Sequence, residues 1–134
     1  LEKEYDYLVI PQFVDETEFR SKHPNCRMIS MNTNNYKNVI DEIVKSKVVY
    51  SSSLHGIILA ETYKVPAIFF RTLPKHRDFK YLDYYYSTGR YDIKLSNSFE
   101  EAKSLPIPNV PDLSSLQHEL LKSFPYDLWA EKEQ

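Results

Sequence analysis

The sequence predicts an α/β fold, a parallel sheet covered by helices on both faces, and three observations carry that reading. Short apolar, β-branched runs alternate with segments of helical length, the pattern of βαβ units with right-handed crossovers. One segment between two such runs shows an amphipathic helical stripe. The chain, 134 residues and 42% hydrophobic, has enough apolar material for one core of ordinary single-domain size.

In chain order, "YDYLVIP" is a β-prone run closed by Pro11, and "CRMISM", residues 26–31, is a second, with a polar loop between them. From Asn35 to Lys45 the period changes. Val39, Ile40, Ile43 and Val44 recur at i, i+1, i+4 and i+5, which gives one apolar helix face. "KVVY" is then a strand, "SLHGIILAETY" a helix and "VPAIFF" a strand. Beyond Phe70 the chain turns basic and then aromatic. Phe79, Leu82, Tyr85 and Tyr86 can share a helix face, with Gly89 placed to end it in the left-handed region. "YDIKL" reads as a short strand. "NSFEEAKSL" reads as a short helix capped by Asn97 or Ser98, with Glu100 and Glu101 in its first turn. After the break "PIPNVP", a last amphipathic helix is expected at about 112–130, with Asp112 as cap and Leu113, Leu116, Leu120 and Leu121 inward.

Charge and composition limit the function. Lys and Arg number 17 against 19 Asp and Glu, a formal net charge of −2, so the global basic excess of a nucleic-acid binder is missing and any anion site must be local. Cys26 is the single cysteine, which rules out a disulfide framework and a cysteine-based metal cluster and fits a reducing compartment. No apolar run reaches the length of a transmembrane segment, and "LEKEYDYL" is not a signal peptide. The expected location is the cytoplasm, with peripheral association at the inner face of the membrane left open. Because the chain starts without methionine, directly before a strand-like run, it is expected to be a fragment of something longer.

The most informative stretch is "VVYSSSLHGIILAETYKVPAIFF", residues 48–70. In a parallel α/β sheet, ligands collect at the carboxyl ends of strands, where loops lead into helix N-termini. Ser51, Ser52 and Ser53 occupy such a junction, and His55 and Gly56 fall in the first turn of the helix. A serine there caps the helix, and the free N–H groups and the dipole attract an anion. Gly56 costs about 1 kcal/mol in helix propensity but lets a ligand or a neighbouring strand approach the backbone. The plainer reading stays open beside this one: ordinary capping serines, a packing glycine and a structural histidine. Basic residues Arg71, Lys75, His76, Arg77 and Lys80 follow the next strand, whose carboxyl end lies on the same side of the sheet.

"SSSLHGIILAETYKVPAIFF" resembles the signature of the polysaccharide pyruvyl transferase family, a Ser-Ser-x-Leu-His-Gly turn followed by an aliphatic helix and a Gly- or Lys-Val/Ile-Pro step. "DFKYLDYYYSTGR" and "SFPYDLW" resemble blocks of a bacterial branch, so the likeness covers about residues 5–128. It implies that residues 1–134 form a single Rossmann-like domain, the C-terminal domain of a two-domain enzyme of GT-B type whose N-terminal domain is absent here. It also implies transfer of a pyruvate ketal from phosphoenolpyruvate to a saccharide of a surface polysaccharide or its lipid-linked precursor. No cofactor or metal is implied, and the isolated fragment would be inactive. On that reading His55 is the catalytic candidate, as a proton donor or, the favoured role, as a phosphate contact. Ser52, Ser53, Leu54 and Gly56 would form the donor cradle, with Arg71, Arg77 and Lys80 supplying charge.

One departure matters. Many members carry arginine where this chain has Ser53, so a bidentate grip on the donor must come from Arg71, Arg77 or Lys80, or the donor differs. Two rival readings remain at this stage. One is the nucleotide-sugar-binding half of a GT-B glycosyltransferase, with Asp78 or Asp83 on the ribose. The other is a non-catalytic module that contacts its missing half through "YLDYYY".

Overall fold

A computed structural model describes residues 3–12, 15–30, 36–72, 79–91, 93 and 95–110. The elements run β1 (Leu8–Ile10), α1 (Glu16–Lys22), α2 (Tyr36–Val44), β2 (Val49–Ser51), α3 (Leu54–Thr62), β3 (Ala67–Phe69), α4 (Phe79–Ser87) and α5 (Phe99–Ser104). The three strands form one parallel sheet in the order β1-β2-β3, with Ile10, Ser51 and Phe69 level at the carboxyl edge. All nine strand residues are buried. Burial on both faces explains why these strands read as continuous apolar runs rather than as alternating ones.

Isolated parallel bridges extend the sheet, Val9 to Met28 beyond β1 and Phe70 to Ser96 beyond β3. Five segments therefore lie side by side in the order 2-1-3-4-5. The chain moves one way from β1 to Met28, then crosses back and continues the other way. With right-handed crossovers this reversal puts α1 on the opposite face from α2 and α3, and the core divides accordingly. One buried cluster joins Val39 and Ile43 of α2, Ile57 and Leu59 of α3 and Tyr81, Tyr84 and Tyr85 of α4 to Leu8, Ile10 and Val49. The other packs Phe19 of α1 and Phe99 of α5 on Val9, Tyr50, Ile68 and Phe70.

Helix α3 is buried all round from Gly56 to Thr62, as expected for a helix apolar on every side. It ends as the Val-Pro step requires. Val65 N–H returns to the Ala60 carbonyl at 2.9 Å and Lys64 N–H to Glu61 at 3.0 Å. This closure puts Lys64 at φ 65°, in the left-handed region that favours glycine. Gly89 after α4 takes φ 83°, as its position predicted.

The segment between the first two β-prone runs, expected as a polar loop, contains α1. Its single buried residue, Phe19, left no stripe to read, but Glu16 and Glu18 in its first turn and Arg20 and Lys22 in its last follow the helix dipole. Among the described residues, "CRMISM" contributes a bridge at Met28, and next to the segment expected as the strand "YDIKL" the bridge falls on Ser96. The helix at about 112–130 lies outside the described residues, as do Arg77 and Asp78. Among the described residues no helix is long and apolar enough to cross a membrane.

Candidate functional site

The reversal in strand order fixes where a ligand site would form. In an open parallel sheet the crevice lies outside the carboxyl ends of the two strands from which the chain departs in opposite directions. Here those strands are β1 and β2, so the crevice is bounded by the turns after Ile10 and after Ser51. The Ser-Ser-Ser-Leu-His-Gly turn stands at that point.

Hydrogen bonds account for each serine. Ser51 Oγ lies 2.7 Å from the Ile10 carbonyl and 2.8 Å from the Ser53 carbonyl, and it accepts the Ser53 N–H at 2.9 Å. Ser52 Oγ accepts the Gln12 N–H at 2.9 Å, and Ser52 N–H donates to Ile10 at 3.2 Å. Ser53 is the N-cap of α3, its Oγ accepting the Gly56 N–H at 3.3 Å. The three hydroxyls thus tie the two strand ends together and start the helix. The Leu54 N–H, in the first turn, has no partner among the described residues and stays available to an anion at the positive end of the helix.

Gly56 is explained by a close approach of the helix to β1. A Cβ there would come within 2.7 Å of Ser51 Oγ, 3.0 Å of Ile10 Cγ2 and 3.2 Å of Ile10 Cβ. The strand end and the helix start can meet at this distance only without a side chain.

Tyr81 of α4 joins this rim of strand ends and helix start, the crest of the site. Its hydroxyl donates to the Ser52 carbonyl at 2.6 Å and accepts from Gln12 Nε2 at 2.6 Å. With the Gln12 N–H to Ser52 bond, these contacts make a ring that fixes the turn after β1, the turn after β2 and α4 to one another. Gln12 and Tyr81 are positioning residues absent from the sequence reading. A tyrosine-rich segment reads equally well as core or as surface, and only one of its members, Tyr81, reaches the crest.

His55 is exposed at the helix N-terminus. Partial desolvation, and secondarily the positive charge of Lys80, hold its imidazole below the ordinary value near 6.5. Lys80 at the start of α4 is therefore brought close enough to His55 for its charge to act there. Arg71 follows β3. It binds the Asn97 side chain and reaches a separate cleft of about 440 Å³ between α1 and α5, whereas neither the serines nor His55 line that cleft. Of the residues singled out from sequence, the structure groups Ser52, Ser53, Leu54, His55, Gly56 and Lys80 at the crest and sets the Arg71 side chain beside it. Among the described residues, no cluster of three or more His, Cys, Asp or Glu is placed to hold a metal ion.

The opposite end of α3 holds a second polar cluster. Glu61, 2% exposed, receives both Arg90 guanidinium nitrogens at 2.7 and 2.8 Å and the Tyr84 hydroxyl at 2.5 Å. Arg90 also lies over the Tyr85 ring at 4.6 Å. Burial opposes the charge on Arg90, but the hydrogen bonds and charge of Glu61 outweigh it and hold the guanidinium above its ordinary value. Burial first, then the charge of Glu61, push both tyrosine hydroxyls well above their usual range, so they remain neutral. With Glu61 buried and Arg90 largely so, the cluster locks α4 to α3.

A family model for polysaccharide pyruvyl transferase matches residues 2–74, from the approach to β1 through the segment after β3, with the whole serine–histidine–glycine turn inside it. No curated protein and no solved structure gives a match.

Proposed function

Because the chain belongs to the polysaccharide pyruvyl transferase family, we propose that the crest around His55 is the donor site for phosphoenolpyruvate and that the reaction makes a pyruvate ketal on a saccharide. The observation that carries this reading is the coincidence of the matched turn with the crevice between β1 and β2, where a helix N-terminus presents an imidazole and Tyr81 and Lys80 of α4 lie alongside. In the ketal transfer the methylene carbon of the donor gains a proton and two sugar hydroxyls add to the adjacent carbon. The bond from that carbon to the phosphate oxygen breaks. One hydroxyl proton is matched by the proton gained at carbon, and the other leaves with inorganic phosphate.

His55 contacts the phosphate. Its lowered pKa leaves the imidazole neutral at neutral pH, able to donate one hydrogen bond to a phosphate oxygen while the Leu54 N–H and the helix dipole face the same charge. Lys80 at the start of α4 supplies the cation that Ser53 does not, and Arg77, shortly before it in sequence, is the further candidate. The role of Ser53 is different: as N-cap it holds the first turn that presents His55. The crest belongs to a C-terminal Rossmann-like domain of a GT-B-type pair, with the acceptor brought across a cleft by an N-terminal domain, and the enzyme works in the cytoplasm.

The test is phosphate release from phosphoenolpyruvate by the full-length protein in the presence of acceptor glycan, with the matching mass gain on the glycan. His55→Ala is expected to lower that turnover by about 10²-fold or more while the thermal transition stays in place. Absence of release and of mass gain would sink the reading. Saturable binding of a nucleoside diphosphate, with none of phosphoenolpyruvate, would favour glycosyl transfer instead.

A further inference from the structure

We propose that the cleft between α1 and α5 is a saccharide subsite, the place where a neutral, hydroxyl-rich segment of the acceptor is held. The cleft measures about 440 Å³, within the usual range for small-ligand sites. It opens beside the crest, because the Phe70 N–H donates to the Ser51 carbonyl at 3.1 Å and the chain then runs on through Arg71 and Thr72 along the cleft wall.

The lining selects the ligand class. Three carboxylates, Asp15, Glu18 and Glu100, face two permanent cations, Lys22 and Arg71, so the charge balance is one unit negative, unfavourable for a phosphorylated donor. The remaining polar groups offer both hydrogen-bonding senses: the His23 imidazole, the Asn97 amide and the hydroxyls of Thr72 and Ser98. The floor is apolar, from Phe19, Phe70 and Phe99, whose ring centroids lie 5.3 to 5.6 Å apart in tilted and edge-to-face arrangements. Carboxylates accept from neighbouring hydroxyl pairs, amide and guanidinium groups donate to ring oxygens, and an apolar floor takes the C–H face of a sugar.

The groups are also pre-positioned. The Thr72 hydroxyl donates to Asp15 Oδ2 at 2.5 Å, tying the loop after β3 to the start of α1. Arg71 holds Asn97, and His23 stands 3.6 Å from Glu100 across the two helices. A saccharide seated here would extend over the strand ends toward His55. The inference rests on the transfer reading for the sugar's role as acceptor, while the cleft's preference for a neutral polyol follows from its own lining.

The experiment is an NMR titration of the isotope-labelled full chain with methyl β-galactoside, methyl α-mannoside, methyl β-glucoside and, separately, phosphoenolpyruvate. At least one glycoside is expected to give saturable shifts at the amides of Phe70–Thr72 and Asn97–Glu100. Phosphoenolpyruvate is expected to leave those of Asn97–Glu100 in place. Asn97→Ala and the exposed-site change Glu100→Gln should each weaken glycoside binding about five-fold without moving the thermal transition; if one of them fails to fold, the other decides. The subsite is overturned if no glycoside shifts these amides, if phosphoenolpyruvate competes for them, or if the folded variants bind as tightly as the parent. Phosphate release without cleft binding removes the subsite alone. Cleft binding without release removes the transfer reading alone.

Discussion

The two ends of helix α3 handle polar groups in opposite ways. At its N-terminus, Ser51, Ser52 and Ser53 use their hydroxyls to hold backbone in place, and the side chain left facing solvent is His55. At its C-terminus, Glu61 is buried and satisfied by Arg90 and Tyr84. The first arrangement is open to a ligand; the second is closed to one. A charge sealed by its partners serves attachment of α4, and α4 in turn delivers Tyr81 and Lys80 to the open end. The anchoring of one end therefore supports the chemistry of the other.

The contrast can be broken at its strongest point first. Arg90→Met removes the guanidinium and leaves Glu61 buried without its counter-charge, so a loss of about 3–5 kcal/mol is expected, measured as a drop in the denaturant midpoint. The double change Glu61→Leu with Arg90→Met should recover much of that loss, since it removes both charges. If Arg90→Met alone is neutral, the closed-end description fails.

Gly56→Ala comes next. The added methyl meets Ser51 Oγ and Ile10, and overpacking of this kind costs about 1–3 kcal/mol. Ligand binding at the crest should weaken with it, because α3 must back away from β1. A variant as stable as the parent would show that the helix start has room to move.

Tyr81→Phe keeps the ring and removes two hydrogen bonds from the crest. A stability loss of about 1 kcal/mol is expected, with a larger proportional fall in kcat than any change in donor KM. Equal changes in stability alone, with kcat untouched, would reduce Tyr81 to a packing residue.

The smallest effects concern pH and the helix end. His55 has a folded pKa below its ordinary value, so the unfolded chain binds the proton more readily between the two pKa values. Stability should therefore rise with pH through that window and be lost on acidification through about 6.5 and below. His55→Gln should flatten this part of the stability profile. At Lys64, where φ is 65°, Lys64→Gly should be neutral or stabilising by up to about 1 kcal/mol, read as a small rise in Tm.

Much of this architecture was legible in the residue order. Val39, Ile40, Ile43 and Val44 placed α2, the continuous apolar runs placed β1, β2 and β3, and the turn at residues 51–56 pointed to a strand-to-helix junction at the carboxyl edge. Helix α1 was not legible, because one phenylalanine in seven residues leaves no periodic stripe and its signal lies only in the order of its charges. The second β-prone run and the residue after the last one gave isolated bridges, at Met28 and Ser96, since edge segments lack the second neighbour that makes a strand regular.

What the sequence alone determined is the local chemistry: which segments extend, which coil, and where a histidine and a glycine follow three serines. Those preferences depend on neighbours along the chain and are set by backbone sterics and apolar periodicity. Only the tertiary structure decided that the serine hydroxyls tie the two strand ends together, that Gly56 is required by Ile10, that Tyr81 rather than its neighbouring tyrosines reaches the crest, and that Arg71 opens onto the second cleft. Each of these joins residues dozens of positions apart, and the reversal of strand order that brings them together arises from packing helices on both faces of one sheet.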